Sequence, residues 1–183
     1  MGLAEVREKI NDIDARLSIL LDERAECSVG VAAAKLGSGD LIYKPERERE
    51  ICDKFANAGK GMGANVVKTI MRNSRLIQYE MYVNEGLVPE KFVEMMKDAG
   101  DGVNLSVEIS FDDDDEKKLS KSDILSVLAE SGFEIKKLEL SEDTVRVTLL
   151  IGAGAEQRRK AYILLFMLYT ETCELAVIDD DYA

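Results

Sequence analysis

Five polar residues in the first half of the chain fall where helix periodicity calls for apolar ones. Arg24 continues an apolar series after Leu17 and Leu20, and Lys35 follows three turns later on nearly the same face. Glu48 shares a stripe with Ile51 and Phe55, while Ser74 and Gln78 sit four apart on the stripe of Ile70, Met71 and Met81. A cation turned toward a core is costly unless an anion or a strong acceptor meets it. An internal network in which Glu48 pairs Arg24 or Lys35 is one resolution. With cations in excess of carboxylates and three helices contributing, a small polar anionic ligand is the better one. Arg7 lies beside the same series, ~26 Å along a helix from Arg24, so if both meet one small ligand they come from different protomers. The sequence has no histidine. That removes the commonest general base and every Ser-His or Cys-His nucleophile, so any chemistry here runs without imidazole.

The elements that must position these groups follow from the apolar spacing. From Leu3 it runs 3, 6, 10, 13, 17, 20, 27, 31 and 34, a heptad seam on one helix reaching about Leu36. Such a helix is ~50 Å long and needs a second chain to cover it. The Gly-Ser-Gly-Asp stretch at 37–40 breaks it, and Pro45 then suits the first turn of a helix over 46–57 with Ile51 and Phe55 inward. The glycine-rich stretch 58–63 has no strand before it and does not match a phosphate-binding loop, so it reads as a helix-helix connection. Asn65 is placed to cap a third helix to about Val83, and a short fourth helix over 89–97 ends at Ala99-Gly100. Beyond Val103 the period changes to alternation. Strands at 103–111, 133–140, 144–151 and 173–178, with helices at 120–131 and 156–170, give the order βαββαβ. That is the order of a ferredoxin-like α+β sandwich.

Composition bounds the rest. The chain has 183 residues, 46% of them hydrophobic, enough for a real core. No apolar run approaches a membrane span, and the charged N-terminus does not read as a signal peptide. Three scattered cysteines (Cys27, Cys52, Cys173) give neither a disulfide framework nor a metal pattern. A cytoplasmic protein is expected, with no metal and no membrane partner. The net charge of −12 argues against nucleic acid. Its distribution is uneven: residues 1–100 carry a net of −2 and residues 101–183 a net of −10, so the halves are treated as separate units, 1–100 and 101–183.

Several stretches of the first unit, taken in order, resemble the all-helical class of chorismate mutases. They are Val6-Arg7-Glu8-Lys9-Ile10-Asn11-Asp12-Ile13-Asp14, Leu20-Leu21-Asp22-Glu23-Arg24, Val31-Ala32-Ala33-Ala34-Lys35, Tyr43-Lys44-Pro45-Glu46-Arg47-Glu48 and Ser74-Arg75-Leu76-Ile77-Gln78. The resemblance covers about residues 3–83. It implies a three-helix protomer in an intertwined homodimer, and an isomerase turning chorismate into prephenate on the route to phenylalanine and tyrosine, with no cofactor. By the same resemblance, Arg24 and the partner's Arg7 hold the substrate carboxylates, and Lys35 and Gln78 bond the ether oxygen. Glu48, with Arg47 nearby, takes the ring hydroxyl, and Ser74 helps to bind a carboxylate. Lys44 departs from the family, which usually has aspartate before the proline. An added cation there is placed to pair Glu48.

The second unit resembles, in topology alone, ACT-type regulatory domains. That implies either an aromatic amino-acid effector or a plain dimerisation or docking module. The acidic run 112–116 reads as a solvated loop. Two alternatives share the cationic clamp: a lyase eliminating pyruvate from isochorismate, and a mutase-like metabolite sensor without catalysis.

Overall fold

The computed structural model describes residues 2–98 and 103–178. Helix α1 (Leu3–Ser38) is 36 residues of mostly strong helix formers. It ends where Gly39 takes a left-handed φ of +70° and its N–H donates to the Lys35 carbonyl. The face of α1 that packs within the protomer is narrow: Ser28 and Ala32 are buried, with Arg24 and Lys35 half-buried beside them. The small side chains of Ser28 and Ala32 let a neighbouring helix come close. The apolar positions before Arg24 lie on nearly the same face but stay uncovered, with Val6, Ile10, Ile13, Leu17 and Leu20 38–58% exposed.

Helix α2 (Pro45–Phe55) starts at Pro45, as expected. Its half-buried stripe is Pro45, Glu48, Ile51 and Cys52. Phe55, expected inward, is exposed. The helix stops there, and the contact at this end is made by backbone instead: a Cβ on Gly63 would overlap the Phe55 carbonyl oxygen and lie 2.7 Å from the Ala58 side chain. A 3-10 turn (Ala58–Gly61) makes the connection. Helix α3 (Gly63–Asn84) therefore starts two residues before Asn65, and Met62 rather than Asn65 stands at its N-cap, without a side-chain cap. Helix α4 (Glu90–Asp98) comes next; the expected stop at Ala99-Gly100 and the boundary at residue 100 lie outside the described residues.

The second half is β1 (Asn104–Ser110), α5 (Lys121–Ala129), β2 (Glu134–Leu140), β3 (Thr144–Leu150), α6 (Ala155–Glu171) and β4 (Glu174–Val177). Ser120 caps α5 by accepting from the Asp123 N–H. The sheet order is β2-β3-β1-β4 with every neighbouring pair antiparallel, the ferredoxin-like arrangement. Val107 pairs with Val147 and Val177, and Ile109 with Val145 and Leu175, which sets one apolar face. On the other face the Ser106 and Thr148 hydroxyls bond at 2.7 Å. The chain is thus an all-α unit succeeded by an α+β unit.

The two halves are not separate in space. From Ala161 on, helix α6 is buried nearly all round, with Ala161, Ile163, Leu164, Leu165, Phe166, Met167 and Leu168 all in the core. A helix apolar on every side must be covered on every side. The sheet covers one side; α3 and α4 cover another. Phe92 of α4 lies 5.1 Å from Tyr162, 5.3 Å from Phe166 and 5.2 Å from Tyr169, and Tyr79 of α3 meets Phe166 edge-on at 5.2 Å. Among the described residues, no helix is long and apolar enough to cross a membrane. Gly63→Ala should lower stability by about 1–3 kcal/mol, because the added methyl overpacks the α2–α3 junction. A urea-denaturation midpoint shifted by less than a few tenths of a molar would show that the junction gives way instead.

Candidate active site

Helices α1 and α3 join three of the expected residues, Arg24, Ser74 and Gln78, and Lys35 follows three turns along α1. Arg24 Nη1 donates to Ser74 Oγ, and Ser74 Oγ also donates to the Ile70 carbonyl at 3.0 Å, an i−4 bond within α3. One turn on, Gln78 Nε2 donates to the Ser74 carbonyl at 3.1 Å, while its buried Oε1 has no partner. Lys35 Nζ donates to the Ile42 carbonyl at 2.7 Å. Among the described residues neither Arg24 nor Lys35 has a carboxylate partner. Each carries its charge against a neutral oxygen.

Glu48 pairs neither of them. Its Oε1 accepts from Arg75 Nη1, and Arg75 Nε lies 3.0 Å from Oε1 of Glu171, at the end of α6. The Tyr43 ring closes one face of the guanidinium, 4.9 Å from its carbon. Nor does Lys44 reach Glu48: it pairs Asp40 at 3.0 Å in solvent, one turn away. Lys44 acts on the site at longer range. Burial first, and then the charge of Lys44, pull the Lys35 ammonium below the usual lysine range, with Asp40 opposing.

The remaining two expected residues lie elsewhere. Arg47 is exposed on α2 and pairs Glu50 at 2.9 Å. Arg7 is exposed near the start of α1, ~26 Å along the axis from Arg24. Within one protomer Arg7 therefore cannot share a small ligand with Arg24.

Periodicity does not single out Arg75 or Glu171. Arg75 lies between Ser74 and Gln78 in sequence, yet it is the most enclosed cation of the cluster, 5% exposed. The stripe that α3 buries is Val67, Met71, Arg75 and Gln78, with Arg72 and Tyr79 alongside. That is one residue round from the stripe of Ile70 and Ser74, and the burial on its far side comes from α6. Glu171 ends an apolar helix, and no local signal marks its partner as a residue ninety-six positions earlier. Burial pushes its carboxyl up to about 7, against the pull of Arg75.

Beside this cluster a cleft of about 730 Å³ opens between the two halves. Its lining reaches Glu48 and Arg75 but not Arg24, Lys35 or Gln78. Ion pairs cross it: Arg49 with Glu116 at 3.2 Å, Lys68 with Asp123 at 3.7 Å, and Arg72 with Glu130. Each puts the cation on the all-α side and the acid on the α+β side.

The cationic cluster sits inside a recognisable stretch of sequence. The chorismate mutase type II family model matches residues 6–79. A chorismate mutase of Methanocaldococcus jannaschii is 30% identical over 89 residues, a match covering 45% of this chain and 89% of that relative. The chain belongs to the chorismate mutase type II family. It is an isomerase family, and its match spans α1, α2 and most of α3, taking in Arg7, Arg24, Lys35, Arg47, Glu48, Ser74 and Gln78. Glu171 and the whole α+β unit lie outside it. No solved structure matches the chain.

The Glu171 carboxyl gives a pH dependence whose sign is fixed. Its pKa is higher folded than unfolded, so between about pH 4.5 and 7 the folded chain binds the extra proton. That contribution to stability is full below the unfolded value and is lost as pH rises through 7. The groups facing it are Arg75, Glu48 and Tyr79. Between pH 5 and 8 the wild-type protein should lose on the order of 2 kcal/mol more stability than Glu171→Gln. Denaturant midpoints with equal pH slopes for the two proteins would refute this.

Proposed function

We propose that this protein catalyses the rearrangement of chorismate to prephenate. The observation that carries the reading is the pair of half-buried cations, Arg24 and Lys35, which among the described residues meet only neutral oxygens, with Gln78 one turn from the Ser74 that Arg24 holds. A dianion supplies the charge they lack. The reaction is pericyclic: the ether C–O bond breaks as a C–C bond forms, and no proton, electron pair or leaving group departs. It asks for no nucleophile, metal or imidazole. What it asks for is a clamp that holds a flexible dianion in its reactive shape, together with donors for charge building on the ether oxygen.

In this reading Arg24, supported by Ser74, binds one carboxylate, and Lys35 and Gln78 donate to the ether oxygen. Burial of Lys35 strengthens that donation, since a dry site raises every electrostatic interaction in it. Glu48 accepts from the ring hydroxyl, with Arg47 at the solvent side. The second carboxylate falls to the partner's Arg7. A homodimer also covers the exposed seam of α1, and the 1–100 and 101–183 units assemble as one protomer. The α+β unit is the candidate seat of an aromatic amino-acid effector.

The test follows the loss of chorismate ultraviolet absorbance with the product identified, repeated with phenylalanine, tyrosine or tryptophan present. Prephenate is expected, and Lys35→Ala should lower kcat by ~10²–10³. Unchanged turnover in that variant would remove Lys35 from the mechanism. Turnover of isochorismate alone, or tight dianion binding without turnover, would favour the lyase or the sensor. The shared site has its own check. Arg7→Ala and Arg24→Ala should each be nearly inactive, and a co-refolded equal mixture should recover about a quarter of the sites, because each mixed dimer has one intact pair. A mixture as inactive as its components would place both arginines in one protomer's site or out of it.

A further inference from the structure

Glu171 is a fully buried carboxyl with no task in the reaction as proposed, in the half of the chain that the family match does not reach. It touches Arg75 at Nε, while Glu48 takes Arg75 at Nη1. A guanidinium is a rigid plane whose donors point in fixed directions. With Glu48 accepting from Nη1, the Glu171 carboxyl 3.0 Å from Nε as an ion-pair partner and the Tyr43 ring over its face, Arg75 is held from three directions. We infer that Glu171 is a positioning residue for the active site: it pins Arg75, and through the opposite edge of that guanidinium it sets where Glu48 stands. The inference rests on the assignment of Glu48 to the substrate hydroxyl.

Two physical effects support it. The first is geometric. Glu171 ends α6, whose stretch Ile163–Leu168 lies wholly in the core, so its carboxyl is held at the end of a well-packed length of helix. Glu48 sits on α2, an eleven-residue helix with no fully buried residue. Rigidity therefore passes from α6 through Arg75 to α2. The second effect is electrostatic. With Glu171 present, Arg75 divides its charge between two carboxylates. Without it the whole charge falls on Glu48, which becomes a poorer acceptor for a hydroxyl.

The test is steady-state kinetics on the full chain at pH 8 to 8.5, above the Glu171 pKa of about 7, for wild type, Glu171→Gln, Glu171→Asp, Glu48→Gln and the Glu48→Gln/Glu171→Gln double variant, with circular dichroism to confirm folding. Glutamine keeps the shape of Glu171 and removes its charge. Glu171→Gln should lower kcat/KM by ~10–100-fold, the scale of a displacement of about an ångström at a reacting group. Glu171→Asp, which keeps the charge with a shorter reach, should recover part of that loss. The double variant should be no worse than Glu48→Gln, because Glu171 acts only through Glu48. If Glu171→Gln fails to fold, Glu171→Asp carries the test, alone and on the Glu48→Gln background. Losses that multiply in the double variant, or a folded Glu171 variant equal to wild type, overturn the inference. An active wild type with an impaired Glu48→Gln and an unimpaired Glu171→Gln sinks the inference alone. A wild type that leaves chorismate untouched sinks the catalytic reading, and this inference with it.

Discussion

A guanidinium that meets almost no water must meet carboxylates instead, and Arg75 meets one from each half of the chain. Much of the molecule is arranged so that this can happen. Helix α2 has to run beside α3 closely enough to present Glu48, which the bare backbone of Gly63 permits. Helix α6 has to end against α3 so that Glu171 arrives at Nε. Tyr43 has to fold back over the guanidinium from the linker between α1 and α2. Remove any one of these and a buried charge is left short of a partner, a penalty larger than any single exposed ion pair can offset.

The uneven charge of the sequence has a structural meaning of the same kind. The α+β half is strongly acidic and the all-α half nearly balanced. Where they meet, the all-α half offers Arg49, Lys68, Arg72 and Arg75, and the α+β half answers with Glu116, Asp123, Glu130 and Glu171. The pair between Arg159 and Glu80 runs the other way. The exposed pairs among these contribute about 0–1 kcal/mol each. They fix register between the halves, while the apolar surface of α6 supplies the adhesion.

Periodicity makes the helices and strands legible because each type of element repeats its apolar positions at its own spacing. The heptad spacing of α1, the break at Gly39 and the change to alternation at β1 all have local causes, and the structure obeys them. The cluster of Arg24, Lys35, Ser74 and Gln78 is legible for a related reason: polar residues on an apolar stripe stand out. What stays hidden depends on contacts between distant segments. Phe55 has the spacing of a core residue, yet α2 ends there and nothing covers it. Asn65 has the chemistry of a cap, yet close packing at Gly63 starts α3 earlier. The Arg75–Glu171 pair joins residues from different units, so a division of the chain by charge hides it. Lys44 is a sequence neighbour of Glu48 but turns to Asp40.

One face of α3 is shaped by the α+β half rather than by the helical unit it belongs to. Leu76, Tyr79, Tyr82 and Val83 lie against the core that α6 and its sheet complete. On a helical unit living alone the same positions would face water, and a solitary version would need hydrophilic side chains there to stay in solution. The amino acids at these four positions are therefore those of a helix made to be covered by the α+β half. The mark of that companionship is written in the helical sequence itself.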